Sequence, residues 1–168
     1  MAAEPIVGVV MGSDSDLECM RRCVDQLKAL GIACEVRVIS AHRTPDAAHE
    51  YSATAADRGL KVIIAAAGMS AALSGVLASK TTLPVIGVPM AAGPLVGVDA
   101  ALSTMQMPPG VPVACMSIGG AGATNAAIFA AEILAVADAD LAARLAQFKA
   151  DQAQKVAQKD AAVQNAQG

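Results

Sequence analysis

Short apolar runs alternate along the chain with stretches whose apolar residues return every three or four positions. Residues 6–11 form an almost unbroken apolar run, the pattern of a strand buried on both faces. A helix is predicted next, with Leu17, Met20, Val24, Leu27 and Leu30 on one side and Gly31 as its stop. Residues 34–39 read as a second strand and 45–58 as a second helix, ended by Gly59. A third strand is expected at 62–67, with a short helix at 70–79. A fourth lies at 85–88 between Pro84 and Pro89, followed by a looser helix at 97–105. The fifth is expected at 113–117, ahead of an Ala-rich helix at 125–137.

Strand and helix in strict alternation predict an α/β fold with a parallel sheet and right-handed crossovers. Five strands predict a flavodoxin-like three-layer sandwich of order 2-1-3-4-5. In that order the loops after the first three strands converge on one crevice. Residues 1–150 are expected to form a single α/β catalytic domain, and 151–168 a C-terminal helical or frayed tail. From residue 138 onward the sequence is rich in Ala, Gln, Lys and Asp, with a thin stripe of Leu141, Leu145, Phe148 and Val156. This reads as a helical arm packing on a neighbouring subunit, in preference to a solvated helix that frays.

Composition sharpens the core. Hydrophobic content is 55% but aromatic content only 2%, with no Trp, so Ala, Val, Ile, Leu and Met must fill the interior. Such an Ala-rich exterior can also pack against copies of itself. A net charge of −3 gives no footprint for nucleic acid or an anionic membrane. Cys19, Cys23, Cys34 and Cys115 have no zinc-like spacing and read as small buried hydrophobes in a reducing compartment. No secretory leader or membrane-length apolar run is recognisable, so a soluble cytoplasmic protein is expected.

The chemistry concentrates where strands end. Ser40-Ala41-His42-Arg43-Thr44 follows the second strand, with Thr44 as the expected N-cap and Pro45 at the first helical position. An imidazole in that loop is either a catalytic group or an incidental loop histidine. The first strand ends in Gly12-Ser13-Asp14-Ser15-Asp16. Its serines and free amides suit a phosphate, and Asp16 suits ligand hydroxyls; an ordinary N-cap cluster would read the same way. It lacks the Lys of a Walker A loop. The third strand ends in Gly68-Met69-Ser70-Ala71-Ala72-Leu73-Ser74-Gly75, whose small side chains leave room for a ligand or for close helix packing. A Gly-rich turn at 119–125 and the Pro108-Pro109-Gly110 turn complete the set. His42 and His49 have no partners at metal-ligand spacing, and no metal is expected. His49, Lys61 and Lys80 read as surface residues.

Taken together, these segments resemble the catalytic subunit of phosphoribosylaminoimidazole carboxylase. The resemblance rests on Met11-Gly12-Ser13-Asp14-Ser15-Asp16, Ser40-Ala41-His42-Arg43-Thr44-Pro45, Pro84-Val85-Ile86-Gly87-Val88-Pro89, Gln106-Met107-Pro108-Pro109-Gly110 and the turn and helix at 119–134. It implies the flavodoxin-like fold, a homo-octamer, no cofactor and a small ribonucleotide substrate. Its bacterial class is a mutase of de novo purine synthesis, which moves a carboxylate from the exocyclic nitrogen of N5-carboxyaminoimidazole ribonucleotide to ring carbon 4. The resemblance implies that Ser13, Ser15 and Arg43 hold the phosphoribosyl group and Asp16 the ribose. It implies that His42 transfers the proton, with Ser40, Ala41, Gly68, Met69, Ser70, Ala71 and Leu73 around the substrate.

One loop departs from the bacterial pattern Gly-Gly-Ala-Ala-His-Leu-Pro-Gly. Here Ala72 replaces the His and Ser74 the Pro, and Ala-Leu-Ser-Gly is similar to the animal-type class, which carboxylates aminoimidazole ribonucleotide directly with carbon dioxide. The turn at 119–125 and the Gln-Met-Pro-Pro-Gly run favour the mutase. Direct carboxylation is the alternative, and a non-catalytic module binding a phosphorylated nucleoside is a third reading.

Overall fold

The computed structural model describes residues 4–166; the first three and last two residues, which belong to the expected domain and tail, lie outside the described residues. Five strands, β1 (Val7–Met11), β2 (Cys34–Val38), β3 (Val62–Gly68), β4 (Val85–Met90) and β5 (Ala114–Cys115), form one parallel sheet of order β2-β1-β3-β4-β5. This is the expected flavodoxin-like order. Between them run α1 (Leu17–Ala29), α2 (Pro45–Thr54), α3 (Leu73–Ala78) and α4 (Val98–Met105); α5 (Gly120–Ala135) and α6 (Ala139–Asn165) follow.

The sheet is buried where its sequence is apolar on both faces. β1 and β4 are buried along their whole length, while the edge strand β2 is half-buried to exposed. Val10, Ile63, Ala65 and Val85 pack with Ala48 and Tyr51 of α2, Ala55 just beyond it, and Leu73 and Leu77 of α3 in one cluster. α1 buries Met20, Cys23 and Leu27, whereas Leu17 of the expected stripe stays partly exposed at 37%.

Several boundaries differ from the sequence reading, each for a local reason. Pro89 lies inside β4 instead of ending it. Its carbonyl accepts from Gly119 N (2.8 Å), so the edge that lacks an N–H faces away from β3, beyond the two residues of β5. β5 itself is cut to Ala114–Cys115. α5 begins at Gly120, five residues before the expected start, because Gly122 lets the first turn close against the Ser117 carbonyl, which any Cβ would strike. α2 ends at Thr54, and turns carry the chain on to Gly59, whose φ is 91°. Thr44 does not cap α2: its hydroxyl turns back to Ser40. Of the four cysteines only Cys23 is fully buried; Cys19, Cys34 and Cys115 are half-buried, and all four are free thiols. Burial, with a small contribution from Cys34, pushes the Cys23 thiol up to about 12.

The chain forms two compact units, Met1–Ala130 and Ala131–Gly168. In the second, Asp138 caps α6 by accepting from Leu141 N (2.9 Å), and Lys149 bridges to Glu132 (3.0 Å). Leu141 and Leu145 are buried and Phe148 half-buried, while Val156 and Val163 are exposed. No described helix is long and apolar enough to cross a membrane.

Candidate functional site

The ends of β1, β2 and β3 open into a cleft of about 520 Å³. The ladder delivers these ends in register. Met11 pairs with Val38 on one side and Ala66 on the other, Gly12 N donates to Ala66 O (2.9 Å), and Ile39 N donates to Met11 O (2.8 Å). The three loops therefore leave the sheet side by side, at the position where an open parallel sheet binds ligands.

The β1 loop makes a short 3-10 turn at Asp14–Asp16. The Ser13 hydroxyl accepts from Ser15 N (3.3 Å) and from the Ser15 hydroxyl (2.9 Å), and donates to Asp14 (3.2 Å). The capping role of Ser13 and its place in the cleft thus coexist. Asp16 is the N-cap of α1 but makes no side-chain cap bond, and it is 8% exposed. Burial raises its pKa, opposed by hydrogen bonds from Ser13 and Ser15 and reinforced by the charge of Asp14. Asp16 lines the cleft, and no basic side chain pairs with it among the described residues.

The β2 loop is a closed turn. Thr44 Oγ1 donates to Ser40 O (3.0 Å) and accepts from Ser40 N (3.0 Å), and Thr44 N donates to Ser40 O (2.8 Å). Arg43 is pinned within it: its backbone N and Nε donate to the Ser40 hydroxyl (3.2 and 3.3 Å), and Nη2 donates to the Gly12 carbonyl (3.2 Å). The guanidinium therefore bridges the first two loops, with no carboxylate paired to it among the described residues. His42 stands between Ala41 and Arg43, exposed, lining the cleft, with no hydrogen bond among the described residues.

The β3 loop supplies the small wall. Gly68, Met69, Ser70, Ala72 and Leu73 line the cleft, Leu73 being 1% exposed. Tight turns hold it: Ala71 N donates to Met69 O (2.8 Å) and Ala72 N to Ser70 O (2.7 Å). Ala71, expected at the substrate, is instead buried and does not line the cleft, because the turn rotates it inward. Ser74 is buried behind it, its hydroxyl without a partner.

Every other residue expected at the site, Ser13, Ser15, Asp16, Ser40, Ala41, His42 and Arg43 among them, faces this one cleft. Gly12, Ala67, Ala72 and Ala92 also line it. Gly12, Ala67 and Ala72 adjoin motifs visible in the sequence, but Ala92 carries no chemical signature; only the pairing of Gly68 with Met90 brings the end of β4 alongside. The Gly-rich turn lies beside the site: Gly119, Gly120 and Ala121 bound a neighbouring depression that shares Ser15, Asp16 and Ala92. Among the described residues no group of three His, Cys, Asp or Glu side chains could hold a metal ion.

The cleft combines an arginine, clustered hydroxyls, a buried carboxyl group and an exposed imidazole against a small-residue wall. It is suited to a phosphorylated sugar carrying a heterocycle that must gain and lose a proton. The profile of the AIR carboxylase family matches residues 6–155. A Bacillus subtilis protein named N5-carboxyaminoimidazole ribonucleotide mutase is 56% identical over 142 residues, covering 84% of this chain and 88% of that protein. A Mycobacterium tuberculosis protein of the same name is 52% identical over 98% of this chain and 93% of its own length. The crystal structure of Treponema denticola PurE superposes with a TM-score of 0.81 at 32% identity, covering 94% of this chain and 97% of that one. With its sheet, its strand-end loops and nearly its whole length accounted for in this way, the chain belongs to the AIR carboxylase family.

Proposed function

We propose that this chain is an N5-carboxyaminoimidazole ribonucleotide mutase of purine synthesis, with His42 as the proton-transfer residue. The observation that carries the reading is the placement of an unpartnered imidazole beside a bridging arginine and opposite a wall of small residues, in a chain of this family. Arg43, Ser13 and Ser15 receive the phosphoribosyl group, Asp16 a ribose hydroxyl, and Ser40 orients Arg43. Ala41, Gly68, Met69, Ser70 and Leu73 surround the imidazole ring of the substrate.

The reaction balances on one proton. His42, as imidazolium, protonates the exocyclic nitrogen while the bond from that nitrogen to the carboxylate carbon breaks, releasing carbon dioxide and aminoimidazole ribonucleotide. Carbon 4 of the ring then bonds to the trapped carbon dioxide. Neutral His42 takes the proton from carbon 4, which restores aromaticity and resets the enzyme. An imidazole serves both directions because it donates a proton as the cation and accepts one as the neutral ring. Confinement makes recapture unimolecular, which is worth more than any single contact in the wall.

The relatives are named as enzymes, which leaves the reading as a non-catalytic binding module without support. Direct carboxylation of aminoimidazole ribonucleotide remains the second reading, favoured by Ala72 and Ser74 in the third loop. Residues 1–150 act as the catalytic domain and 151–168 as its tail. We place the protein in the cytoplasm as a homo-octamer, in line with its high apolar content, with no nucleic-acid or membrane partner.

The test supplies purified protein with each ribonucleotide separately, with carbon dioxide scavenged or added, and follows carboxyaminoimidazole ribonucleotide. Conversion of the N-carboxylated substrate under scavenging is the expected result. Product formed only from aminoimidazole ribonucleotide plus carbon dioxide would establish direct carboxylation instead. Light scattering checks the oligomer.

A further inference from the structure

Met69 is a methionine in a conformation that favours glycine. Its φ is 56°, in the left-handed region that L residues with long side chains rarely adopt. It is also 56% exposed, so burial of its side chain in the core does not account for it. What the side chain does instead is cross to the next loop. A Cβ placed on Gly93 would stand 3.3 Å from Met69 Cγ and 3.7 Å from its Sδ, so the thioether lies on the bare backbone of Gly93, whose φ is 66°. One residue earlier in each segment, at the end of β3 and just after β4, the approach is closer still: a Cβ on Gly68 would stand 2.8 Å from Ala92 Cβ. The loop after β3 and the loop after β4 are therefore drawn together, with Met69 as the side chain laid over the seam.

The seam borders the cleft. Ala67, Gly68, Met69, Ala72 and Ala92 line it on that side, and Met69 is the one large exposed side chain among them. The backbone conformation and the side-chain crossing are independent observations with the same implication: the position is occupied by methionine for the reach of its side chain. Met69 is flexible and unbranched, suited to covering an irregular gap and to moving aside for a substrate.

We propose that Met69 is a gate over the seam between these two loops, retaining carbon dioxide in the cleft between its release and its recapture. The inference rests on the mutase reading and deepens it. Met69 forms no bond to the reacting atoms; it sets the fraction of released carbon dioxide that returns to the ring. An apolar side chain suits a small neutral molecule better than a charged one would, since it offers no bound water along which the gas could be hydrated and lost.

The experiment compares wild type, Met69→Gly, Met69→Ala and Met69→Leu as full chains. Each receives the N-carboxylated ribonucleotide together with isotopically labelled dissolved carbon dioxide, with spontaneous breakdown subtracted. Two quantities are read: the ratio of aminoimidazole ribonucleotide released to carboxylated product formed, and the fraction of product carrying label. Met69→Gly and Met69→Ala are expected to raise both by about five-fold or more, because escape then competes with an intramolecular recapture. Met69→Leu is expected to restore both to near wild type. Met69→Gly should also raise the unfolding midpoint, because glycine accepts the positive φ. Wild-type turnover with unchanged release and labelling in whichever of Met69→Gly and Met69→Ala folds would overturn the gate alone. If the wild type fails to convert the N-carboxylated substrate, the mutase reading falls and takes the gate with it.

Discussion

Two polar clusters lie near the edge strand β2, one on its flank and one beyond its end; each contains a carboxyl group and an arginine, and they are organised in opposite ways. On the flank of the sheet, Glu35 accepts from the Tyr51 hydroxyl (2.7 Å) and from Arg58 Nη1 (2.6 Å), and the Arg58 guanidinium lies 4.6 Å from the centre of the Tyr51 ring. Gly8 leaves the space into which the hydroxyl reaches. At the strand end, Asp16, Arg43, Ser13 and Ser15 are equally close in kind, but the carboxyl group and the guanidinium are not paired with each other. The pKa directions record the contrast. Burial would raise the Glu35 carboxyl, but hydrogen bonds from Arg58 and Tyr51 and the charge of Arg58 outweigh it and hold it below the usual range. Burial raises Asp16, and its hydrogen bonds do not compensate. A cluster whose charges satisfy one another stabilises the fold. One whose charges are held apart keeps its free energy for a ligand.

The contrast can be broken most severely at His42. His42→Asn keeps polarity and approximate size but cannot exchange a proton near neutral pH, so turnover should fall by about 10²-fold or more. Ribonucleotide binding, measured by calorimetry, should survive. Substantial residual turnover would remove His42 from the mechanism.

Arg43→Ala should follow, weakening ribonucleotide binding by about 2 kcal/mol through loss of a charge-assisted contact to phosphate, with little change in the unfolding midpoint. The same exchange at Arg58 should show the reverse pattern, costing stability and sparing binding. Equal effects of the two variants on binding would erase the distinction between the clusters.

Tyr51→Phe sharpens the structural side. Loss of the part-buried hydroxyl bond to Glu35 should cost about 1 kcal/mol in urea unfolding at neutral pH. Because the folded pKa of Glu35 is depressed, its contribution is present above the unfolded carboxylate value and lost as pH falls through the folded one. The difference between wild type and variant should therefore shrink on acidification through that window.

The smallest effect is expected at Asp16, with the opposite sign. Its raised pKa means that the folded state is favoured below the unfolded carboxylate value and loses that advantage as pH rises through the raised one. Asp16→Asn should stabilise the unliganded protein at neutral pH by about 1 kcal/mol or less, while weakening ribonucleotide binding. A loss of stability at neutral pH would show that Asp16 belongs with the satisfied cluster after all.

The sequence by itself determined the order of elements, because two-sided burial writes β1, β3 and β4 as continuous apolar runs, α1 carries an apolar stripe, and Gly or Pro punctuates the segments between. It showed polar side chains of Ser, Asp, His and Arg grouped after β1, β2 and β3, while capping and incidental-loop readings of the same residues stay open without the family resemblance. Tertiary structure alone decided what depends on neighbours remote in the chain. Pro89 stays in its strand because β5 is too short to need its missing N–H. Ala71 turns inward although it sits in the motif, and Ala92 reaches the cleft although nothing in its sequence marks it. Thr44 abandons the cap for Ser40, and Met69 takes a glycine conformation to lie on Gly93. Local periodicity and residue chemistry are properties of a segment and can be read along the chain. Which loop a side chain meets is fixed only when non-local strands pair in register, and it is that pairing which sets the walls of the cleft.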